Sequence, residues 1–398
     1  MSAIILTTLC ALLLIPTMIL FVEVAAAIMP GDRPAPLAGM RPQRIAVLIP
    51  AHNEETTIAN TLKAIAPQLN QDDWILVVAD NCSDQTEKIA RGVGAEVIAR
   101  EHLTLRGKGY ALAHGVRHLE KNAPDVVIII DADCLVQSGS IAILATTAAA
   151  SGRPVQALYR MRAPAGAGLR LRIAEFAWLI KNHVRPLGLY RMGLPCQLMG
   201  TGMAFPWACI RAAPLATGHL TEDLKLGLDL ARRGCPPLFC DQAVVTSDFP
   251  TSDEGIRSQR VRWEHGHLRS ILSDGPKLLL ESTIRLDLAL GVMALDLSVP
   301  PLALLAMLIA AAWAVSLPLE IAAQMNLPFL MAVGSALLFG AAVTLSWRHF
   351  GRRTLSGRDL ALASIYAICK VPLYLQFLVK PQSKWVRSER GPSDQPKA

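Results

Sequence analysis

Two acidic residues separated by one alanine are the feature of this sequence that most directly suggests chemistry. Asp131 and Asp133 follow the apolar, β-branched run 126–130, which has the composition of a buried strand. Alternation along a strand directs both carboxylates to the same side, and the end of the strand frees them from the sheet. Such a pair suits Mg²⁺ or Mn²⁺, a hard cation that would bridge diphosphate oxygens and neutralise the charge on a departing nucleoside diphosphate.

A third carboxylate lies further along the chain, in the motif Thr221-Glu222-Asp223, beside a helix predicted over 223–233. At the edge of a cavity, Asp223 would accept the proton of an acceptor hydroxyl. A single base opposite a leaving diphosphate favours direct displacement, with inversion at the attacked carbon. The alternative interpretation is structural, with Thr221 or Glu222 capping the helix.

Cations and an aromatic residue complete the set of candidate residues. Gln259, Arg262 and Trp263 are three to four residues apart and therefore share one face of a helix. An arginine there would hold a pyrophosphate through two hydrogen bonds, and the indole offers a flat surface on which a sugar stacks. A surface ion pair beside a core tryptophan is the alternative. Arg106 and Lys108 lie in a glycine-containing loop that would cover a bound donor.

Alternating strands and helices are predicted to position these residues. The strands are predicted at 45–49, 74–78, 96–99 and 126–130, and the helices at 54–66, 83–91 and 109–119. Because strands buried on both faces are continuously apolar, the pattern indicates an α/β domain with a mostly parallel sheet and helices on both faces. Ligands of such sheets bind beyond the carboxyl ends of the strands.

Polar residues follow two further strands at that edge. The first strand leads into Pro50-Ala51-His52-Asn53-Glu54, and the second into Asp80-Asn81-Cys82-Ser83-Asp84. Asp80 would accept hydrogen bonds from a nucleotide base or ribose. Taken singly, Asn53 or Ser83 is also explained as a helix cap. Three polar loops at the same edge of one sheet favour a binding site.

Both ends of the chain are apolar, and positive charges lie beside them. Transmembrane helices are predicted at 4–29, 298–317 and 327–347. Arg and Lys flank these segments as the positive-inside rule requires, so the net charge of +7 does not indicate nucleic-acid binding. The same rule places the intervening domain in the cytoplasm. A helix that spanned at 360–379 would carry the basic tail outside, so an interfacial or re-entrant helix is predicted there.

The chain is therefore expected to have four parts. They are an N-terminal transmembrane helix (1–30), a cytosolic catalytic domain (40–275), interfacial and transmembrane helices (285–380) and a basic cytosolic tail (381–398). The eight cysteines show no metal-binding spacing. Their scatter fits reduced thiols in a cytosolic domain better than a disulfide framework.

Taken in order, these motifs resemble those of family 2 glycosyltransferases, over roughly residues 44–270. The five motifs are Pro50-Ala51-His52-Asn53-Glu54, Asp80-Asn81-Cys82-Ser83-Asp84, Asp131-Ala132-Asp133, Thr221-Glu222-Asp223 and Gln259-Arg260-Val261-Arg262-Trp263. Within the family, the sequence is most similar to the branch of cellulose synthase-like and poly-N-acetylglucosamine synthase-like enzymes. The resemblance implies a GT-A fold, a UDP-sugar donor, a divalent metal (Mg²⁺ or Mn²⁺) and a β-linked product.

The resemblance also implies roles for individual residues. Asp223 would be the catalytic base, and Asp131 with Asp133 would hold the metal and UDP. The residues implied in donor binding are Pro50, His52, Asn53, Glu54, Asp80, Lys108, Asp131 and Asp133. The residues implied at the acceptor and diphosphate are Glu222, Gln259, Arg262 and Trp263. The segment 196–202 stands where the family builds its acceptor-binding strand.

The membrane segments favour one activity over its alternatives. Polymer synthases of this family usually have more transmembrane helices, so transfer of one sugar to a lipid-linked or polysaccharide acceptor is expected, in exopolysaccharide or glycolipid synthesis at a bacterial-type inner membrane. A processive β-polysaccharide synthase is the alternative. A transporter with a nucleotide-binding domain would need charged residues inside its spans, and 298–317 and 327–347 carry none before their ends. A soluble nucleotidyltransferase gives no reason for the last two motifs.

Overall fold

The computed structural model describes residues 2–30, 42, 44–250, 252–323 and 326–379. Its strands are β1 (Ile45–Ala51), β2 (Trp74–Asp80), β3 (Glu96–Arg100), β4 (Val126–Ile129), β5 (Leu135–Val136), β6 (Val155–Arg162), β7 (Met203–Pro206) and β8 (Leu238–Asp248). Its first helices are α1 (Ser2–Ile28), α2 (Ile58–Ile65), α3 (Thr86–Gly92), α4 (Lys108–Leu119), α5 (Ser140–Ser151), α6 (Leu169–Leu179), α7 (Arg185–Arg191) and α8 (Trp207–Arg211). The later helices are α9 (Glu222–Arg232), α10 (Asp253–Ser273), α11 (Gly275–Arg285), α12 (Leu288–Leu297), α13 (Leu302–Ala323), α14 (Asn326–Ser346), α15 (Gly357–Ile368) and α16 (Val371–Val379).

These elements form two compact units. The sheet unit contains the described residues of 32–164 and 195–266, and the helical unit contains those of 1–31, 165–194 and 267–382. The helical unit therefore includes α6 and α7, and the boundary between the units falls inside α10.

The sheet unit holds an eight-stranded sheet in the order β3-β2-β1-β4-β7-β6-β8-β5. The half formed by β3, β2, β1 and β4 is entirely parallel, as predicted. In the other half, β7 runs antiparallel to β4 and β6, and β5 runs antiparallel to β8. With β6 and β8 parallel, the sheet is mixed. This second half was not predicted: β5 and β7 are too short to show a pattern of their own, and no strand was predicted at β6 or β8 although both are long.

The segment 196–202 is not the strand that the resemblance implied. It is irregular, and β7 begins only at Met203. Gly200 and Gly202 have φ of +96° and +67°, a left-handed region that interrupts extended pairing and favours glycine. At Gly202 a Cβ atom would also lie 2.8 Å from Ala157 Cβ and 2.9 Å from Val245 Cγ2. The chain therefore turns tightly here, directly beside the end of β4.

The core on one face of the sheet fixes α4 and α9 in place. Leu48 of β1, Val78 of β2, Val116 of α4 and Leu226 of α9 belong to one buried cluster. Gly115 lets α4 lie close to the sheet, since a Cβ there would overlap Leu48 and meet Val78 at 3.0 Å. Burial of these side chains stabilises the positions from which the ends of α4 and α9 project.

The helical unit contains four helical segments that are long and apolar enough to cross a membrane, judged by length and composition over the described residues. They are Ile4–Ile28, Leu302–Ala322, Asn326–Gly351 and Gly357–Val379. The first three match the spans predicted at 4–29, 298–317 and 327–347. The fourth consists of α15 and α16 with a turn at residues 369–370, and its interfacial placement stays a prediction. The basic tail 381–398 lies outside the described residues.

A buried ion cluster lies inside the helical unit. Arg185 on α7 donates from Nε to Glu23 Oε2 on α1 (2.6 Å) and from Nη2 to Asp296 Oδ1 on α12 (2.5 Å). All three side chains are less than a tenth exposed. Gly188 makes room for this arrangement, because a Cβ there would overlap the backbone carbonyl of Glu23. The sequence patterns did not reveal this cluster.

Candidate active site

The loops after β1 and β2 are held together at the carboxyl edge of the sheet. His52 donates from Nδ1 to the backbone oxygen of Asp80 (2.7 Å). Asn53, at φ +55°, accepts a hydrogen bond from the backbone N–H of Ser83 through Oδ1 (2.7 Å). Neither Asn53 nor Ser83 caps a helix, since α2 and α3 begin after Thr57 and Gln85. The helix-cap alternative is therefore wrong for both residues.

Pro50 and Glu54 complete the first loop. Pro50 is still part of β1, opposite Val78 of β2. The Glu54 carboxylate accepts a hydrogen bond from Thr57 Oγ1 (2.8 Å), and its backbone N–H donates to Thr86 Oγ1 (2.7 Å). In this structure Glu54 thus ties the start of α2 to the start of α3.

The Asp80 carboxylate is buried, with 5% of the residue exposed. Its Oδ1 accepts hydrogen bonds from Arg100 Nη1 (2.5 Å) and Asn81 Nδ2 (3.0 Å). Arg100 also donates to the backbone oxygen of Leu105 (2.7 Å) and lies over the Tyr110 ring (5.6 Å). Sequence reasoning missed Arg100, although it ends β3 directly opposite Asp80 and could have been found once those two strands were paired.

Asp131 and Asp133 lie close together after β4, but through a turn and not through strand alternation, since β4 ends at Ile129 and the backbone N–H of Cys134 donates to the oxygen of Asp131 (3.1 Å). One carboxylate oxygen of Asp131, one of Asp133 and the Sγ atom of Cys134 all lie within 4.8 Å of one another. The backbone N–H of Asp131 donates to Thr201 Oγ1 (3.0 Å), which fixes this loop against the turn before β7. Burial, together with the two carboxylates, raises the pKa of the Cys134 thiol well above its usual range. Of the three groups, the two carboxylates are the hard oxygen ligands that Mg²⁺ and Mn²⁺ prefer.

Lys108, the first residue of α4, lies at the centre of the acidic groups. Its ammonium forms an ion pair with Asp131 and donates to the backbone oxygen of Gly200 (2.6 Å). Burial alone would lower the pKa of this ammonium, but attraction to Asp131, Glu222 and Asp223 outweighs it and raises the pKa above its usual value. Lys108 is therefore a fixed positive charge facing three carboxylates. Arg106, by contrast, is exposed.

The start of α9 brings the remaining carboxylates to this point. Thr221 precedes the helix, but its side chain makes no capping hydrogen bond. A Cβ atom at Gly200 would lie 3.4 Å from Asp223 Oδ2 and 3.9 Å from Lys108 Nζ, so both groups meet at this turn. Glu222, Asp223 and Lys108 line one cleft with an empty volume of about 320 Å³, together with Leu112, Met203 and Leu226.

The helix that carries Gln259, Arg262 and Trp263 lies next to this cleft. At Gly266 of α10 a Cβ atom would approach Thr221 Cγ2 to 2.7 Å, so α10 packs closely on the residue before α9. Arg262 interacts electrostatically with Glu222. Its Nε is buried and has no hydrogen-bond partner among the described residues. Buried donors of this kind are normally satisfied, which makes an anionic ligand a natural partner for Arg262.

The Glu222 carboxyl has a raised pKa of about 7, because burial and the neighbouring Asp223 disfavour its charged form. Its ordinary value is 4.5, so between pH 4.5 and pH 7 the folded protein binds more protons than the unfolded chain, and stability falls as pH rises. We expect Glu222→Gln to remove this dependence. Relative to wild type, the variant should gain up to about 3 kcal/mol in free energy of unfolding from pH 4.5 to pH 7.

Urea unfolding followed by tryptophan fluorescence at several pH values measures this difference. Glu101→Gln, at an exposed position, is the control for loss of one negative charge. A constant difference between Glu222→Gln and wild type across this pH range would contradict the assignment.

Comparison with known proteins identifies the class of this domain. Residues 42–266 match the family model described as glycosyltransferase like family 2, so the chain belongs to that family. Among solved structures, the chain is similar to the mannosyltransferase PcManGT of Pyrobaculum calidifontis, whose structure contains GDP-Man and Mn²⁺. The TM-score is 0.51 at 20% identity, and the match covers 86% of this chain and 99% of that one. This similarity shows the fold, which is GT-A as expected.

Two curated relatives are similar to more than half of this chain. The probable glycosyltransferase YdaM of Bacillus subtilis (strain 168) is 26% identical over 239 residues, 58% of this chain and 56% of that protein. The poly-beta-1,6-N-acetyl-D-glucosamine synthase of Staphylococcus aureus (strain COL) is 25% identical over 240 residues, with the same coverage of 58% and 56%. The chain thus spans about half the length of these curated relatives.

Proposed function

We propose that this protein is an inverting glycosyltransferase, which transfers a sugar from a nucleotide-sugar donor to an acceptor at a membrane. The observation that carries the proposal is the convergence of Lys108, Asp131, Glu222 and Asp223, from separate segments, at the carboxyl edge of the sheet. Such an edge is where open α/β sheets bind nucleotides. The family membership supports the same chemistry.

The donor would lie with its base at Asp80 and its diphosphate near Asp131 and Lys108. His52 and Asn53 hold the loops on either side of Asp80, with Pro50 and Glu54 fixing the first of them. We expect UDP as the nucleotide, since a uracil N–H would donate to the Asp80 carboxylate. Asp80 is already bound to Arg100, so base binding must share or displace that contact.

A divalent metal fits beside Asp131 and Asp133. Two carboxylate oxygens are hard ligands of the kind that Mg²⁺ and Mn²⁺ prefer, and the ammonium of Lys108 on Asp131 indicates that the position attracts a cation. When bound, the ion would neutralise charge on the departing diphosphate. Lys108, within reach of the same oxygens, would contribute a second positive charge to that leaving group.

Asp223 would remove the proton from the acceptor hydroxyl. Like Glu222, it lines the cleft without ending a strand or belonging to the metal pair, but its Oδ2 also lies beside the turn at Gly200 that Lys108 Nζ approaches. Glu222 beside it has a pKa of about 7. Its carboxyl group would donate a hydrogen bond to the acceptor when protonated, or accept one from it when charged. A base on one side of the attacked sugar carbon and a leaving diphosphate on the other side give inversion at that carbon. An α-linked donor therefore gives a β-linked product.

Gln259, Arg262 and Trp263 would form the acceptor end of the site. The unpartnered Nε of Arg262 would bind a diphosphate oxygen, and Trp263 would stack on the acceptor sugar. The three residues lie on one face of α10 because of their spacing. This arrangement is the one expected for the cellulose synthase-like and poly-N-acetylglucosamine synthase-like branch.

The acceptor is proposed to be lipid-linked or a polysaccharide, and the protein to lie in a bacterial-type inner membrane with its sheet unit in the cytoplasm. Four candidate spans and basic residues at the end of the third, such as Arg348 and Arg352, support this topology. A processive β-polysaccharide synthase is the second candidate, supported by the similarity to the poly-beta-1,6-N-acetyl-D-glucosamine synthase.

The test is to incubate membranes containing the protein with a panel of radiolabelled UDP-sugars and GDP-mannose, and then to separate lipid-soluble from polymeric product. We expect label from one UDP-sugar in the lipid fraction, loss of label on chelation with EDTA, and recovery with Mn²⁺ or Mg²⁺. Asp133→Asn should raise the metal concentration needed for half-maximal activity. Transfer from GDP-mannose alone would overturn the UDP assignment, and product found only as polymer would favour the processive synthase.

A further inference from the structure

Two sulfur atoms are in contact in the sheet unit, at the end of α9 opposite to Glu222 and Asp223. Cys209 on α8 and Cys235, after the end of α9, have their Sγ atoms 3.4 Å apart. Both are free cysteines. Cys209 is 9% exposed, whereas Cys235 is only partly buried. Cys235 is therefore the more exposed residue of the pair.

The turn that ends α9 fixes Cys235 in this position. Gly234 has φ +79°, and its backbone N–H donates to the oxygen of Ala231 (2.9 Å). The backbone N–H of Cys235 donates to the oxygen of Leu230 (3.0 Å). A left-handed glycine with such hydrogen bonds is a common way to end a helix. The backbone of Cys235, and with it one side of the contact between the sulfurs, is thus held by hydrogen bonds at the end of α9.

Other groups around the pair hold it and provide charge. Arg153 donates from Nε to the backbone oxygen of Pro236 (2.8 Å) and interacts electrostatically with Cys235. Cys209 also lies 3.7 Å from the backbone oxygen of Gly152. Cys82 differs, because its sulfur contacts the backbone of Ala51 and Asn53.

We propose that Cys209 and Cys235 are an oxidative modification site, at which a hydroperoxide converts the two thiols into a disulfide. A disulfide has a sulfur–sulfur distance of about 2.05 Å, so the sulfurs must approach by little more than 1 Å from their 3.4 Å contact. The site is independent of the proposed function.

The reaction proceeds in two balanced steps. The Cys235 thiolate attacks one peroxide oxygen, the O–O bond breaks, and the products are a sulfenic acid on Cys235 and an alkoxide or hydroxide that takes up a proton. The Cys209 sulfur then attacks Cys235 Sγ, and the sulfenic hydroxyl leaves as water with the proton of Cys209. Two electrons pass from the sulfurs to the peroxide. A dithiol reductant reverses the modification.

Burial and the contact with Cys235 explain the order of the steps. They raise the pKa of Cys209 to about 12, so Cys209 remains a thiol while the more exposed Cys235 reacts first. Cys209 then acts as the resolving cysteine, because its sulfur is already in place. The bond closes a loop between positions 26 residues apart, and this loop contains the whole of α9.

The experiment uses the full chain, purified in detergent, freed of reductant and treated with hydrogen peroxide. Remaining thiols are blocked with N-ethylmaleimide, and the protein is digested without reduction for mass spectrometry. We expect one cross-linked peptide pair that contains Cys209 and Cys235, lighter than the two peptides by two hydrogen atoms and lost on treatment with dithiothreitol. Phenylarsine oxide, which bridges adjacent thiols, should protect both residues from N-ethylmaleimide.

Matched variants distinguish disulfide formation between Cys209 and Cys235 from general oxidation of the thiols of the protein. Cys82→Ser should retain the cross-link, whereas Cys209→Ser should lose it and leave Cys235 as a sulfenic or sulfinic acid. Because the cross-link is measured on wild-type protein, the result does not depend on a variant that folds. The proposal is overturned if the folded wild-type protein oxidises at Cys82 or Cys235 without a cross-link, or if the cross-link forms only in denaturant.

Discussion

Asp223→Asn should lower the rate of sugar transfer by at least about a hundredfold, because general base catalysis typically contributes a factor of 10² to 10⁴. Asparagine has nearly the same shape but no basic oxygen, so the acceptor hydroxyl would keep its proton. Donor binding should be nearly unchanged, since the donor residues lie in the strand-end loops and at Lys108. Steady-state kinetics and equilibrium binding of labelled nucleoside diphosphate measure these two effects separately.

The control for Asp223→Asn lies on the same helix. Asp229 pairs with Lys225 and with Arg232 (3.1 Å), and Asp229→Asn makes the same change of charge further along α9. It should leave transfer close to the wild-type rate. If Asp223→Asn lost nucleotide binding together with turnover, its role would be structural or donor-binding, and the assignment as base would be wrong.

Arg185→Met should destabilise the helical unit by about 3–5 kcal/mol, the usual cost of removing one partner of a buried ion pair. The arginine is the positive partner that contacts both Glu23 and Asp296. Methionine fills similar volume but leaves two carboxylates buried side by side. The free energy of unfolding in mixed detergent micelles, or the yield of folded protein after extraction, measures the effect.

Two further variants distinguish the cluster from a general effect of charge. Arg172 pairs with Asp359 (2.7 Å) in the same unit but is 39% exposed, and solvent screens such pairs, so Arg172→Met should have a much smaller effect. The triple replacement Glu23→Leu, Arg185→Met and Asp296→Leu should recover most of the stability, because apolar residues often replace a buried ion cluster without loss. If Arg185→Met proved as stable as the wild-type protein, the cluster would not be what holds the helices together.

The part of the fold that follows from local pattern was predictable from sequence. Strands β1 and β4 are continuously apolar, β2 is apolar as far as Asp80, and polar residues follow each of these three strands. Both the parallel half of the sheet and the carboxyl edge could therefore be anticipated. Asp131 and Asp133 lie together because they are two positions apart in one short motif, so the local backbone sets the distance between their carboxylates. Lys108 was expected in a loop that covers the donor, but it is instead the first residue of α4, directly after Gly107. Its contacts with the acidic groups were not predicted, because they join segments far apart in the chain.

The rest depends on contacts between residues far apart in the chain. Arg100 reaches Asp80 only because β2 and β3 are neighbours in a particular register. Glu23, Arg185 and Asp296 are separated by 162 and 111 positions, and no pattern within any of their helices indicates that they meet. The short strands β5 and β7 likewise form through pairing with longer partners, and their own residues carry too little periodicity to predict them.

The most direct measurement of the proposed chemistry is the position of Mn²⁺ in a crystal of the protein grown with Mn²⁺ and a nucleoside diphosphate, located by anomalous scattering. We predict one strong anomalous peak within coordination distance of Asp133, with the diphosphate between it and the Asp223 carboxylate. A nucleotide bound elsewhere on the sheet unit, or an ordered diphosphate on the far side of the metal from Asp223, would contradict this prediction.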